Sequence, residues 1–334
     1  MLRSICIPSL VCVLAACGGS PSTPTEAPSA RALLGQAVNA VNGSGVPGVS
    51  VHVNSLWPVV ADNSGMFSVD VGSGTHRIRL NAGSFVDRDT TLAGPSAERV
   101  RLSLIPAEFD LEAFDEMFRT ANARLQRWVA PPALVVLGTV MEYRNGAGDQ
   151  YEATGDQLSD DEVSQTVADL TEGLALLTGE TFTNFASVTV ERPEAGTQVA
   201  VTRTGRIVVG RYRGISTLAN TIGYGQWSEL SDGTVVGGSM FLDREFDRDD
   251  ARRRLLRIHE LGHALGYLHV KTRTSIMNPA IGPEPTDFDR TAARIAFQRL
   301  PGNRAPDVDA ATSTRTFSVT GESTGRWMPP VICH

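Results

Sequence analysis

Residues 259–269 read His-Glu-Leu-Gly-His-Ala-Leu-Gly-Tyr-Leu-His and hold three of the chain's six histidines. This stretch constrains the fold more than any other. On a helix, His259 and His263 are four residues apart and project from one face, roughly 6 Å apart. Gly266 follows them. Without a Cβ it can take the left-handed conformation that stops a helix and turns the chain sharply. A helix continued through it would carry His269 about 9 Å along the axis from His263, too far to share a ligand. A bend at Gly266 instead returns His269 toward the other two, so that three imidazoles converge on one ion. Glu260, one position round from His259, then lies beside the ion without binding it. Residues 244–266 are expected as one helix capped near Asp247 to Asp250, with acidic residues suiting its dipole. Leu255, Ile258, Leu261 and Leu265 anchor its buried side; Arg252, Arg253, Arg254 and Arg257 form a solvated face.

At 334 residues the chain has room for about two domains. Its 41% hydrophobic and 20% charged residues are those of a globular protein, which excludes a wholly disordered one. Net charge is −7, and Lys271 is the only lysine, so nucleic acid is not an expected partner. Residues 1–16 read as an export signal: a short positive start, then an apolar stretch too short to span a bilayer. They end in Leu14-Ala15-Ala16-Cys17-Gly18, which resembles the lipobox of bacterial lipoproteins. That resemblance implies export to the cell envelope and membrane attachment through lipidated Cys17, at the outer membrane or cell surface because Gly18 is not an aspartate. An ordinary signal peptide is the other reading. Residues 17–32 are a Gly/Ser/Pro/Thr tether. Cys6 and Cys12 leave with the signal, so Cys333 has no partner for an internal disulfide.

Residues 33–105 alternate short apolar runs with turn signals. Val49, Val51 and Val53 alternate, as do Phe67, Val69 and Val71, and Ile78 and Leu80. Asn42-Gly43, Pro47-Gly48 and Asn63-Ser64-Gly65 punctuate them. The pattern predicts a small antiparallel β-sandwich. Val-Pro-Gly-Val-Ser-Val-His-Val followed by Asp-Asn-Ser-Gly-Met-Phe resembles carboxypeptidase regulatory-like domains, which implies either a spacer or a glycan- or protein-binding module.

From Pro106 the character changes. Leu111, Phe114, Phe118, Ala121, Leu125 and Trp128 keep helical spacing behind an N-cap at Asp110. Residues 133–143 read as a buried strand. Residues 159–179 read as a helix with a capping box of Ser159 and Glu162. Further strands are expected within 185–190, 197–203, 206–212 and 234–243, and a closing helix from Thr286 with Phe288, Ala292, Ile295 and Leu300 inward. Interleaved helices and strands indicate an α/β (α+β) arrangement over 106–310, with 311–334 as a C-terminal tail.

Three neutral imidazoles with an open fourth position suit a catalytic zinc ion. The run HExxHxxGxxH resembles the signature of the metzincin clan of zinc endopeptidases. Met277, in Ser-Ile-Met-Asn-Pro eight residues after His269, is similar to the matrixin methionine turn. The resemblance implies a metzincin-like catalytic domain over 106–310 with one Zn2+ on His259, His263 and His269. It also implies Met277 as an apolar floor, Glu260 as general base, and a polypeptide substrate. Val270 and Pro279 depart from better-known families, and no tyrosine follows the methionine to serve as an extra ligand. In relatives an edge strand before the helix pairs with the substrate; Gly238 and Ser239 are placed to present backbone there. Residues 278–289 are expected to wall the pocket beyond the scissile bond. Cys333 is read as an unpaired tail cysteine, because nothing local fixes it at the metal. Two other readings stay open: a surface binding lipoprotein with a vestigial zinc site, and a zinc hydrolase acting on a non-peptide bond.

Overall fold

The computed structural model describes residues 32–119, 123–143, 150–213, 221–310 and 325–333. The expected signal, Cys17 and nearly all of the tether lie outside them. Seven strands come first: β1 (Ala32–Asn39), β2 (Ser50–Val53), β3 (Val59–Val60), β4 (Met66–Asp70), β5 (Gly74–Asn81), β6 (Arg88–Gly94) and β7 (Ser96–Leu104). They form two sheets, ordered β4-β1-β7 and β3-β2-β5-β6. The alternating residues point one way: Val51, Val53, Phe67, Val69, Ile78 and Leu80 meet Leu33, Leu102 and Leu104 in one apolar cluster. The expectation of purely antiparallel pairing is corrected at β1 and β7, which run parallel. The long excursion between them supplies the crossover that parallel pairing needs.

The remaining elements are α1 (Leu111–Phe118), β8 (Ala133–Leu137), β9 (Thr139–Tyr143), β10 (Gln150–Gln157), α2 (Asp160–Leu177), β11 (Val188–Glu191), β12 (Gln198–Ala200), β13 (Arg206–Arg213), β14 (Gly223–Glu229), β15 (Val235–Asp243), α3 (Arg244–Asp249), α4 (Arg253–Ala264), α5 (Asp287–Phe297), β16 (Arg326–Trp327) and β17 (Val331–Cys333). The chain is thus of mixed α/β content, with strands predominating. The strands of this second part form one ten-stranded sheet. Its parallel run is β11-β8-β13-β15; β14 pairs antiparallel with β15, and both tail strands pair antiparallel with β14. Apolar side chains are buried on both faces of the sheet. Leu134, Val136, Ile207, Val209, Met240 and Leu242 enter the main core, against Leu170, Leu174 and Leu177 of α2 and Ile258 and Leu261 of α4. Val135, Leu137, Val208 and Phe241 point to the opposite face, among Tyr151, Tyr212 and Tyr224.

Local chemistry sets the helix ends. Ser159 and Glu162 form the expected capping box on α2, an arrangement worth about 1 kcal/mol at the N-cap. Asp110 accepts the Ala113 N–H at 3.1 Å, but α1 stops at Phe118. Leu125 and Trp128 are buried beyond the helix, not on it. The single helix expected over 244–266 is two. Asp243 caps α3, while Asp250 is extended and its side chain accepts the Arg252 N–H at 2.7 Å, a local turn that competes with helix.

Arg257 is also corrected, being buried rather than solvated. It donates to Asp169 at 2.7 Å and to both oxygens of Asp247, which also accepts from Arg211 at 2.9 Å. The two parts of the chain share a second buried ionic group. Arg88 of β6 pairs with Asp309 at 2.9 Å, and Arg299 pairs with Asp307 while donating to Ser103 of β7. No helix among the described residues is long and apolar enough to cross a membrane.

Candidate metal centre

Helix α4 lies between α2 and strands β14 and β15. His259 and His263 occupy its last turns, on the face toward β14, and are fully buried. The turn at Gly266 forms as expected: φ is +101°, and the Tyr267 N–H reaches back to the Gly262 carbonyl at 2.9 Å. A side chain at this position would be strained and would meet Val235 as well. Beyond the bend, the Leu268 N–H bonds to the Met117 carbonyl at 3.0 Å and holds the returning chain to α1. His269 is thereby brought to the other two histidines. Its Nε2 lies 3.2 Å from Nε2 of His263, which is 3.0 Å from Nε2 of His259. Two nitrogens bound at 2.0–2.1 Å to one tetrahedral ion would lie about 3.3 Å apart.

The proton positions follow from the partners. Nδ1 of His259 donates to the Ile276 carbonyl and Nδ1 of His263 to the Tyr267 carbonyl, each at 2.7 Å. A carbonyl can only accept, so both rings carry their proton on Nδ1 and turn a bare Nε2 lone pair inward. Burial keeps the rings neutral. It pushes His259 down to about 3 against the Ile276 hydrogen bond, holds His263 well below the ordinary range, and takes His269 to about 4. Lone pairs facing each other at 3.0–3.2 Å repel unless a cation lies between them, so the donor set fits a metal ion.

Met277 is fully buried. Its sulfur fills the space a Cβ on Gly262 would occupy, between the two helical histidines in sequence. Asp289, at the start of α5, holds this turn. Its carboxylate accepts from the Ser275 hydroxyl and from the Ile276 N–H at 3.2 Å while also taking the Thr286 N–H at 2.7 Å. Asn278 donates to the Val270 carbonyl at 2.7 Å and the Arg273 carbonyl at 2.8 Å, closing the loop after His269. The carbonyl that orients His259 is therefore fixed from α5.

Glu260 is fully buried beside the histidines, and apart from the Cys333 thiol facing it neither carboxylate oxygen has a hydrogen-bond partner among the described residues. It packs against the bare backbone of Gly223, where a Cβ would lie 2.7 Å from Oε1. Burial pushes its carboxyl well above the usual carboxylate range, opposed by the Cys333 thiol facing it.

Two expectations are revised here. Gly238 and Ser239 lie on β15, which is paired on both sides, so they present no edge to a substrate. A Cβ on Gly238 would strike the Ala264 carbonyl; the position serves helix packing. The strand along the centre is β14, whose Gly-Tyr-Gly-Gln-Trp-Ser-Glu is buried throughout and has no alternating pattern to announce it. The tail cysteine belongs to the centre. Sγ of Cys333 is 3.0 Å from Nε2 of His259 and 3.8 Å from Nε2 of both His263 and His269. The four donor atoms lie within 4.8 Å of one another, a possible metal-binding group. Burial, with Glu260 adjacent, pushes the thiol above its ordinary range. Asp289 had a local signal, its capping-box spacing from Thr286, which accounts for the cap but not for its hold on Ile276.

No protein-family model matches the chain, and no curated protein matches it.

Proposed function

We propose that this chain is a zinc-dependent endopeptidase with a metzincin-like catalytic domain over residues 106–310. Residues 33–105 then form an accessory β-sandwich like the carboxypeptidase regulatory module, and the exported protein is held at the cell envelope through lipidated Cys17. One observation carries the reading. Three imidazole Nε2 atoms, two of them bare, converge beside a buried carboxylate that only the Cys333 thiol faces, and such a carboxylate is costly unless a cation and water compensate it.

His259, His263 and His269 would hold the ion. Zinc bound there supplies Lewis acidity, lowering the pKa of a water and drawing charge from the scissile carbonyl. Glu260 takes the proton of the attacking water on its carboxylate and passes it to the leaving amine. The wall of helix α4, β14 and Met277 keeps bulk water from that carboxylate, which strengthens its interaction with charge developing nearby. The Ile276 and Tyr267 carbonyls hold the His259 and His263 rings in the neutral tautomer that ligation requires.

A peptide-library digestion by the mature protein tests this, run with the full tail and with Cys333→Ser. Cleavage abolished by a chelator and by Glu260→Gln is the expected result. Zinc-loaded protein that cleaves no peptide in either form would overturn it.

A further inference from the structure

We propose that the C-terminal strand is a built-in plug for this centre, with the Cys333 thiolate as fourth ligand and residues 331–333 in the place of a substrate strand. The inference rests on the peptidase reading above. Two independent features of the fold support it.

The first is the donor geometry. The Cys333 sulfur faces all three Nε2 atoms from the side that the histidines leave open. A thiolate is a strong zinc ligand, and with it the centre is four-coordinate and closed, leaving no position for water or a substrate carbonyl. Only one bond is made, from sulfur to metal, and the thiol proton passes to water; no oxidant or reductant takes part.

The second is the strand register. One edge of β14 is taken by β15, and the other is the sheet edge that borders Glu260 and His263. A peptide held by strand addition would need that row of backbone donors and acceptors. The tail already uses it. Gly223, Tyr224 and Gly225 pair antiparallel with Cys333, Ile332 and Val331, and Ser228 and Glu229 with Trp327 and Arg326. Ile222 donates to the Cys333 carbonyl at 3.0 Å and Met328 to the Trp227 carbonyl at 2.8 Å. Val331 lines two cavities that flank the histidines. A cavity of about 370 Å³ bounded by Glu116, Arg119 and Lys271 lies on one side, and one of about 450 Å³ bounded by Trp227, Met328 and Pro330 on the other. His269 lines both. Lifting the tail would open the fourth position and free the β14 edge in one movement.

Cobalt(II) loaded into the full chain reads the ligand set directly. We expect an intense thiolate-to-cobalt charge-transfer band in the near ultraviolet that disappears in Cys333→Ser. Peptide hydrolysis by zinc-loaded Cys333→Ser, and by a chain lacking residues 326–334, should rise together. If the plug leaves about 1% of chains open, the increase is about a hundredfold. No charge-transfer band in the full chain overturns the plug and leaves the peptidase reading to be judged on Glu260. A band in the full chain with no hydrolysis by either variant overturns both, because the centre is then a closed structural site.

Discussion

Sγ of Cys333 and Nε2 of His259 stand 3.0 Å apart, although they are 74 positions apart in the chain. One side chain comes from helix α4, the other from a strand that reaches the site along β14. Both face inward because the sheet curls the β14 edge against the helix. Gly223 and Gly225 place no side chain between strand and helix: a Cβ on either would collide with Glu260 or with His263. The centre therefore depends as much on what β14 lacks as on what α4 carries.

Metal should contribute substantially to stability. Zinc that binds the folded chain and not the unfolded one adds about 4 kcal/mol at a thousandfold excess over its Kd. Thermal unfolding of chelator-stripped protein with and without added zinc checks this. His263→Ala should abolish the gain, and an equal gain in that variant would place the ion elsewhere.

Asp289 acts on the histidine cluster through the Ile276 carbonyl. Asp289→Asn keeps the shape but weakens the acceptor for Ser275 and Ile276, so the His259 ring loses part of its orientation. Zinc affinity should fall by roughly 10–100-fold with the fold retained. Competition with a chromogenic chelator measures it, and unchanged affinity would confine Asp289 to capping α5.

Gly266→Ala tests the bend. At φ +101° an alanine costs about 1–3 kcal/mol, and its Cβ would press on Val235. The strain should shift His269 away from the other rings, so zinc affinity and stability fall together in calorimetric titration and urea unfolding. Loss of stability with full affinity would show that the bend does not place His269.

The Asp247 group sets an acid limit. Burial opposes its charge, yet Arg211 and Arg257 hold its carboxyl down to about 2, below the ordinary 3.8. A folded pKa below the unfolded one means that this stabilisation is complete above about pH 3.8 and is lost as pH falls toward 2. Asp247→Asn leaves two buried guanidinium groups short of their partner and should cost about 3–5 kcal/mol at neutral pH. Urea unfolding at neutral and acid pH should find that cost shrinking on acidification.

The parts of the centre that were legible in the sequence are those set by local geometry. Helical spacing puts His259 and His263 on one face, and one glycine supplies the turn for His269. Asp110 and Ser159 announced their helices because a cap is a contact over three residues. What was not legible depends on distant partners. Arg257 reads as a surface arginine until Asp169, 88 positions away, is seen beside it. Leu125 and Trp128 keep helical spacing although the chain has left its helix. Strand β14 hides its pairing because it is buried on both faces, which removes alternation. Cys333 lacks any local signal: the sheet brings it to the three histidines.

The comparison that tests the central claim most directly pairs Cys333→Ser with Cys333→Ser/Glu260→Gln, both shown by mass spectrometry to carry one zinc per chain. With the site open, hydrolysis of a peptide library should be readily measurable in the first. In the second it should fall by about 10²–10⁴-fold, the usual contribution of a positioned acid–base group. Equal rates in the two proteins would contradict the account.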